Sequence, residues 1–130
     1  LSEKIERMDN HSMFASVASG SASWDAMIVV PSSMGTVGRV ASGVSQTLIE
    51  RAADVMLKER RTLIFVVRET PYSLIHLRNM TTLTEAGAII LPASPSFYSH
   101  PQSIEQAALT VVERVLVLAG IKEQHYEFEG

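Results

Sequence analysis

Apolar residues in this chain fall into two spacings, short unbroken runs that predict strands and three- and four-residue steps that predict helices. Leu63 to Val67 is five apolar residues long, largely β-branched or aromatic, and hydrophobic on both faces. That pattern predicts a strand in the middle of a parallel sheet covered by helices. Ala26 to Val30, stopped by Pro31, and Ala88 to Leu91, stopped by Pro92, predict two more buried strands. Between the first two strands, Val37, Val40, Ala41, Val44, Leu48, Ala52, Val55 and Met56 form one apolar stripe, which predicts a single long helix from about 36 to 58. Tyr72 to Glu85 predicts a second helix, with Leu74, Leu77, Met80 and Leu83 on one side and Gly87 as its stop. Ser103-Ile104 opens the last helix, whose stripe runs through Ala107, Ala108, Val111, Val112, Val115, Leu116 and Ala119 to Gly120. The order is β-α-β-α-β-α, which implies a parallel sheet with right-handed crossovers. Three strands make a small sheet, so more of it is expected elsewhere in sequence or from a neighbouring subunit.

Ligands of open α/β sheets bind beyond the carboxyl ends of the strands. Arg68 and Glu69 follow the central strand directly and are ended by Thr70-Pro71. They stand where an anion site and a proton-transfer group belong, or else form a surface ion pair capping the strand. Ser32-Ser33-Met34-Gly35-Thr36 joins the first strand to the following helix. Free amides, hydroxyls and the helix dipole there suit an anion, while Ser33 or Thr36 also suits a plain N-cap. The turn is neither a Walker loop nor a GxGxxG fingerprint. Phe14 to Ser23 is a Ser- and Gly-rich loop, either a spacer or a ligand loop. Lys58-Glu59-Arg60-Arg61 closes the long helix, where basic residues suit the dipole. The segment 93–101 is rich in proline and aromatic residues, as a formed binding loop is, and Tyr98 serves there as a ligand hydroxyl or a lid. Arg114, among Val, Leu and Ala, is paired, snorkelling or a phosphate holder.

Composition narrows the classes. A chain of 130 residues with 46% hydrophobic content fits one domain, with 1–13 as lead-in and 122–130 as a charged, aromatic tail. A net charge of -3 argues against a broad nucleic-acid surface, and no window approaches the roughly 20 apolar residues of a membrane span. Without cysteine there is neither a disulfide framework nor a thiolate metal site, which suits a cytoplasmic setting. His11, His76, His100 and His125 lack metal-ligand spacing, so no metal is expected, and His76 reads as a hydrogen-bonded structural residue. The chain opens on Leu, as a fragment or a processed chain does.

Several runs together resemble the UbiX-type flavin prenyltransferases. They are Ile28-Val29-Val30-Pro31-Ser32-Ser33-Met34-Gly35-Thr36, Leu48-Ile49-Glu50-Arg51-Ala52-Ala53-Asp54-Val55, Leu57-Lys58-Glu59-Arg60-Arg61, Arg68-Glu69-Thr70-Pro71, His76-Leu77-Arg78-Asn79-Met80, and Phe97-Tyr98 with Pro101-Gln102-Ser103. The likeness runs in uninterrupted order over about 15 to 121. It implies a three-layer, Rossmann-like flavoprotein fold, here a partial β-α-β-α-β-α portion without the family's opening strand and Gly-Ala-Ser-Gly loop. It further implies that Ser33, Met34, Gly35, Thr36 and Arg68 hold FMN, and that Glu69 and Lys58 are catalytic. Tyr98, Arg114, Lys58 and Arg51 would bind the phosphate of dimethylallyl phosphate. FMN, in its reduced form, would be a substrate; the prenylated product would pass to a UbiD-type decarboxylase, as in ubiquinone biosynthesis. A homo-oligomer, a dodecamer in the family, with sites shared between subunits is implied as well. Two departures stand out: Ser32 where the family usually has Cys, and Ser45-Gln46-Thr47 where Ala-Asp-Asn is frequent. Two alternatives remain. One is an FMN-dependent decarboxylase acting on a cysteine group, although those usually carry Pro-Ala-Ser-Ala-Asn-Thr at the turn. The other is a non-catalytic flavin-binding or assembly subunit.

Overall fold

A computed structural model describes residues 9–11 and 24–121; the lead-in beyond 9–11, the 14–23 loop and the 122–130 tail lie outside the described residues. Three parallel strands, β1 (Ala26–Ser32), β2 (Thr62–Val67) and β3 (Ile89–Pro92), stand in the order β1-β2-β3. β2 is central because its whole apolar run can be buried on both faces, and Leu63 to Val67 are all buried. Leu63, Phe65 and Val67 meet Val29, Val37, Val40, Ala53, Met56, Met80 and Leu83 on one face. Ile64 and Val66 meet Leu91 and Val115 on the other. The first face is covered by α1 (Met34–Ala41), α2 (Leu48–Lys58) and α3 (Leu74–Glu85), the second by α4 (Ile104–Leu118). The result is the expected three-layer α/β arrangement.

Both outer strands run slightly past their expected ends. β1 continues through Pro31 to Ser32, with an irregularity in its pairing between Val29 and Ser32, and β3 includes Pro92. Ser32 pairs with Val67 and Val67 with Pro92, so the three carboxyl ends are level. At a strand spacing of about 4.8 Å they lie within about 10 Å of one another.

The helix expected over 36–58 is two helices. Its apolar stripe is continuous, but Ser42 to Thr47 breaks the backbone between α1 and α2. Gly43 takes a φ of +76°, which stops α1, and Thr47 restarts the chain as an N-cap whose hydroxyl accepts from the Glu50 amide at 3.3 Å. Glu50 reaches back to accept from the Gln46 amide at 3.0 Å, and Asn10 accepts from the Ile49 amide at 2.8 Å. Thr47-x-x-Glu50 is the sequence signal for this restart, outweighed by the periodicity of the stripe.

α3 also departs from its expected packing. Met80 and Leu83 are buried, whereas Leu74 and Leu77 are 60% and 47% exposed. The first turn of α3 lies at the end of the sheet where the strands stop, so its apolar positions have no sheet beneath them.

Candidate functional site

Among the described residues, four helices begin on a Ser or Thr whose side chain accepts from the amide three residues on: Ser33, Thr47, Ser73 and Ser103. The first matters most. Ser33 Oγ accepts from the Thr36 amide at 3.1 Å and donates to Thr36 Oγ1 at 3.1 Å. The N-cap role is therefore real, and it orders the turn. The amides of Met34 and Gly35 precede the first intrahelical bond and stay open toward the carboxyl end of the sheet. An anion there would meet two N–H groups and the positive end of α1.

Arg68 is exposed and Glu69 half-buried at the end of β2. Among the described residues no ion pair joins them; the Glu69 carboxylate accepts from the Thr70 amide at 3.1 Å. Beyond β3, Leu91, Pro92, Ser94, Ser96, Thr110 and Arg114 surround a hollow of about 280 Å³. Thr110 is 2% exposed; its hydroxyl donates to the Ala107 carbonyl at 2.6 Å and accepts from the Ser96 amide at 2.9 Å. Ser99 Oγ donates to the Ser96 carbonyl at 3.3 Å, and Gln102 Nε2 to the His100 carbonyl at 3.0 Å. The 93–101 loop is thus a formed structure pinned to α4, and Arg114 stands one helical turn after its pin. Thr110 escaped the sequence reading; its signal was a lone hydroxyl inside an otherwise apolar stripe. Thr110→Val should cost about 1 kcal/mol, because it strands the half-buried Ser96 amide. A denaturant midpoint that hardly moves would show that the loop stands without the pin.

The structure brings Ser33, Met34, Gly35, Thr36, Arg68, Glu69 and Arg114 to one end of the sheet. Tyr98 is on the loop at that same end, 97% exposed and packed against nothing as a lid. Lys58 is elsewhere. Lys58 ends α2 just before the amino end of β2, and six strand residues, about 20 Å, separate it from Glu69. It is paired with Glu59 at 3.0 Å, and the Lys58 hydrogen bond and charge hold the Glu59 carboxyl below its ordinary value. Arg51, seven residues earlier on the helix, shares the outward face, while Ala52, Ala53, Val55 and Met56 face the sheet. Within one chain, Lys58 cannot join the strand-end site, and Arg51 points away from the sheet. His76 is structural, as expected: its Nδ1 accepts from the Ser73 amide at 3.1 Å and closes the cap of α3. Among the described residues no group of three His, Asp or Glu could hold a metal ion, and no helix is long and apolar enough to cross a membrane.

Comparison with known proteins adds independent findings. The model of the family described as Flavoprotein matches residues 2–119. The flavin prenyltransferase UbiX of Pseudomonas aeruginosa is 49% identical over 120 residues, 92% of this chain and 57% of that protein. The chain therefore spans little more than half the length of that relative. A crystal structure of AnUbiX (PadA1) in complex with FMN and dimethylallyl pyrophosphate superposes with a TM-score of 0.83 at 49% identity, covering 92% of this chain and 66% of that one. A dodecameric FMN-dependent UbiX-like decarboxylase from Escherichia coli O157:H7 gives a TM-score of 0.86 at 40% identity, over 93% of this chain and 66% of that one.

Proposed function

The chain belongs to the flavoprotein family, on the branch of the UbiX-type flavin prenyltransferases, and from that premise we propose that it serves to transfer a dimethylallyl group to reduced FMN. The observation that carries this reading is the convergence of the Ser33–Thr36 turn, Arg68-Glu69 and the Arg114 hollow on one end of the sheet.

In the reaction, an allylic C–O bond breaks and inorganic phosphate leaves. The C1 carbon of the five-carbon unit bonds to N5 of the flavin, whose proton goes to the leaving phosphate. The remaining C=C then takes a proton at its middle carbon, C3 bonds to C6 through the cation so formed, and C6 gives up its proton in return. The hard event is the first, since it leaves cationic carbon and a more highly charged phosphate. Fixed positive donors around the phosphate oppose that charge build-up without reorganising. Arg114 supplies one from the loop hollow, with Ser94 beside it, and Tyr98, on the same loop, would swing its hydroxyl in from solvent. Met34 and Gly35 offer amides to the flavin, with Ser33 and Thr36 ordering the turn and Arg68 adding charge. Glu69 lies between the two halves of the site and moves a proton between the ring and the leaving phosphate. No step asks for a metal.

Lys58 fits this site only from another copy of the chain, a reading supported by the outward face it shares with Arg51 and by the dodecameric relative. The product would be handed to a decarboxylase that uses prenylated flavin. The decisive assay supplies the full-length protein with reduced FMN and dimethylallyl phosphate and follows the flavin by mass. Addition of one five-carbon unit supports the reading. FMN returned unchanged while a cysteine-linked carboxylate loses CO2 would favour the decarboxylase alternative, and FMN bound without any turnover would favour a carrier.

A further inference from the structure

Arg39, whose side chain is 44% exposed, has no role assigned so far, yet it is ion-paired with Glu50, the buried carboxylate that also accepts from the Gln46 amide at the restart of α2. Glu50 is 1% exposed, and its Oε2 accepts from Arg39 Nε at 2.7 Å while Oε1 accepts from the Gln46 amide. Burial alone would raise the Glu50 carboxyl, but the hydrogen bonds from Arg39 and Gln46 and the Arg39 charge outweigh it and hold the carboxyl below its ordinary value. It is ionised at neutral pH.

What Glu50 fixes is the direction of the guanidinium. Arg39 stands one turn after Gly35 on α1, and helical side chains lean toward the N-terminus, so its head falls on the first turn. A Cβ built on Gly35 would lie 3.1 Å from Arg39 Nη1, 3.6 Å from Nη2 and 3.7 Å from Cζ. The guanidinium therefore lies beside Gly35, the one residue of the turn that has no side chain. It also lines a groove of about 450 Å³ with Met34, Gly35, His76 and Asn79. A cation beside a helix N-terminus opposes the helix dipole and so works against the stability of α1 itself. A staple across the 42–47 break would have no need to send the charge there. The pair is neutral overall but oriented, with its cationic end beside Gly35 in the first turn.

We propose that Arg39 is a positioning residue for the flavin-holding turn, aimed by the buried Glu50, so that it both fixes the backbone at Gly35 and strengthens the turn's attraction for an anionic ligand. The flavin part of this rests on the function proposed above; the fixing of the turn does not. The test uses the full-length protein and two readouts, FMN affinity from quenching of its fluorescence and hydrogen exchange of the 34–37 amides. Glu50→Gln keeps an acceptor for the Gln46 amide but removes the charge that aims Arg39. It and Arg39→Ala should each weaken FMN about tenfold, the loss of roughly one charge-assisted contact. Each should also speed exchange at 34–37 while α4 exchanges as before. Gly35→Ala should weaken FMN about tenfold in the parent and about twofold or less once Arg39→Ala is present, the non-additivity of groups in contact. Should Arg39→Ala fail to fold, Glu50→Gln carries both readouts alone. Parent-like affinity and exchange in Glu50→Gln would overturn the proposal, as would strict additivity of the Gly35 and Arg39 changes. If the parent takes up no FMN, the flavin reading falls, and unchanged exchange at 34–37 in Glu50→Gln would then overturn the positioning role on its own.

Discussion

Glu69→Gln should leave FMN uptake intact and slow the formation of prenylated flavin by roughly 10²-fold or more, the usual size of a lost general acid–base group. The amide keeps the shape of the side chain and an oxygen to accept from the Thr70 amide, which the carboxylate now does at 3.1 Å. Only the capacity to take and return a proton is lost. Turnover of the variant at the parent rate would remove Glu69 from the chemistry. Lys58→Ala should be impaired for a different reason, because Lys58 lies on the outer face of α2, at the other end of β2 from Glu69. If its ammonium serves a site in a neighbouring copy, two crippled proteins repair each other. Dissociated, mixed and reassembled, Glu69→Gln and Lys58→Ala should give activity well above either parent variant. A Lys58→Ala protein with full activity, or a mixture no better than its components, would confine the site to the strand ends of single chains.

That contrast marks how far the sequence could be read. Strands and layers were legible because burial on both faces leaves an uninterrupted apolar run, and β2 carries one. The strand-end residues were legible for a related reason: Ser33, Arg68 and Glu69 each follow such a run directly, so the chain order alone sets them at one pole. Arg51 and Lys58 were grouped with them through resemblance, and resemblance does not say which copy of a chain supplies a residue. The broken helix illustrates a different limit. Val40, Val44 and Leu48 keep helical spacing across a segment that is not helical, because both helices face the same sheet, while Val44 between them is half-buried along the groove. Local capping decided the outcome there, through Thr47, Glu50 and Asn10.

Residues that act through other residues were the least legible. Thr110 carries only the pattern of a lone hydroxyl in an apolar stripe, and Arg39 carries none of its own. The first is recognised only when the Ser96 amide is seen against its hydroxyl, the second only when Gly35 is seen beside its guanidinium. Each joins positions that the chain separates by a loop or a helical turn, and composition is blind to such joins.

Phe65→Ala should cost the full-length protein about 3–5 kcal/mol, the range for emptying an aromatic site in a packed core. Phe65 is fully buried at the middle of the central strand, with Val29, Val37, Val40, Met56 and Met80 in the same cluster. Relaxation into the void is hindered, since β2 is hydrogen-bonded to β1 on one side and β3 on the other and cannot shift without breaking both ladders. A loss of that size is a large share of the roughly 5–15 kcal/mol that holds a domain together. Ile104→Ala, at a position 89% exposed, should by comparison stay within about 0.5 kcal/mol. Denaturant midpoints of the two variants measure the difference directly. Phe65 also lies three residues before Arg68, so the same void loosens the strand end that presents Arg68 and Glu69. FMN affinity should therefore fall along with stability in Phe65→Ala and not in Ile104→Ala. A Phe65→Ala protein that unfolds at the parent midpoint would mean that β2 is not the strand on which the core and the site are both built.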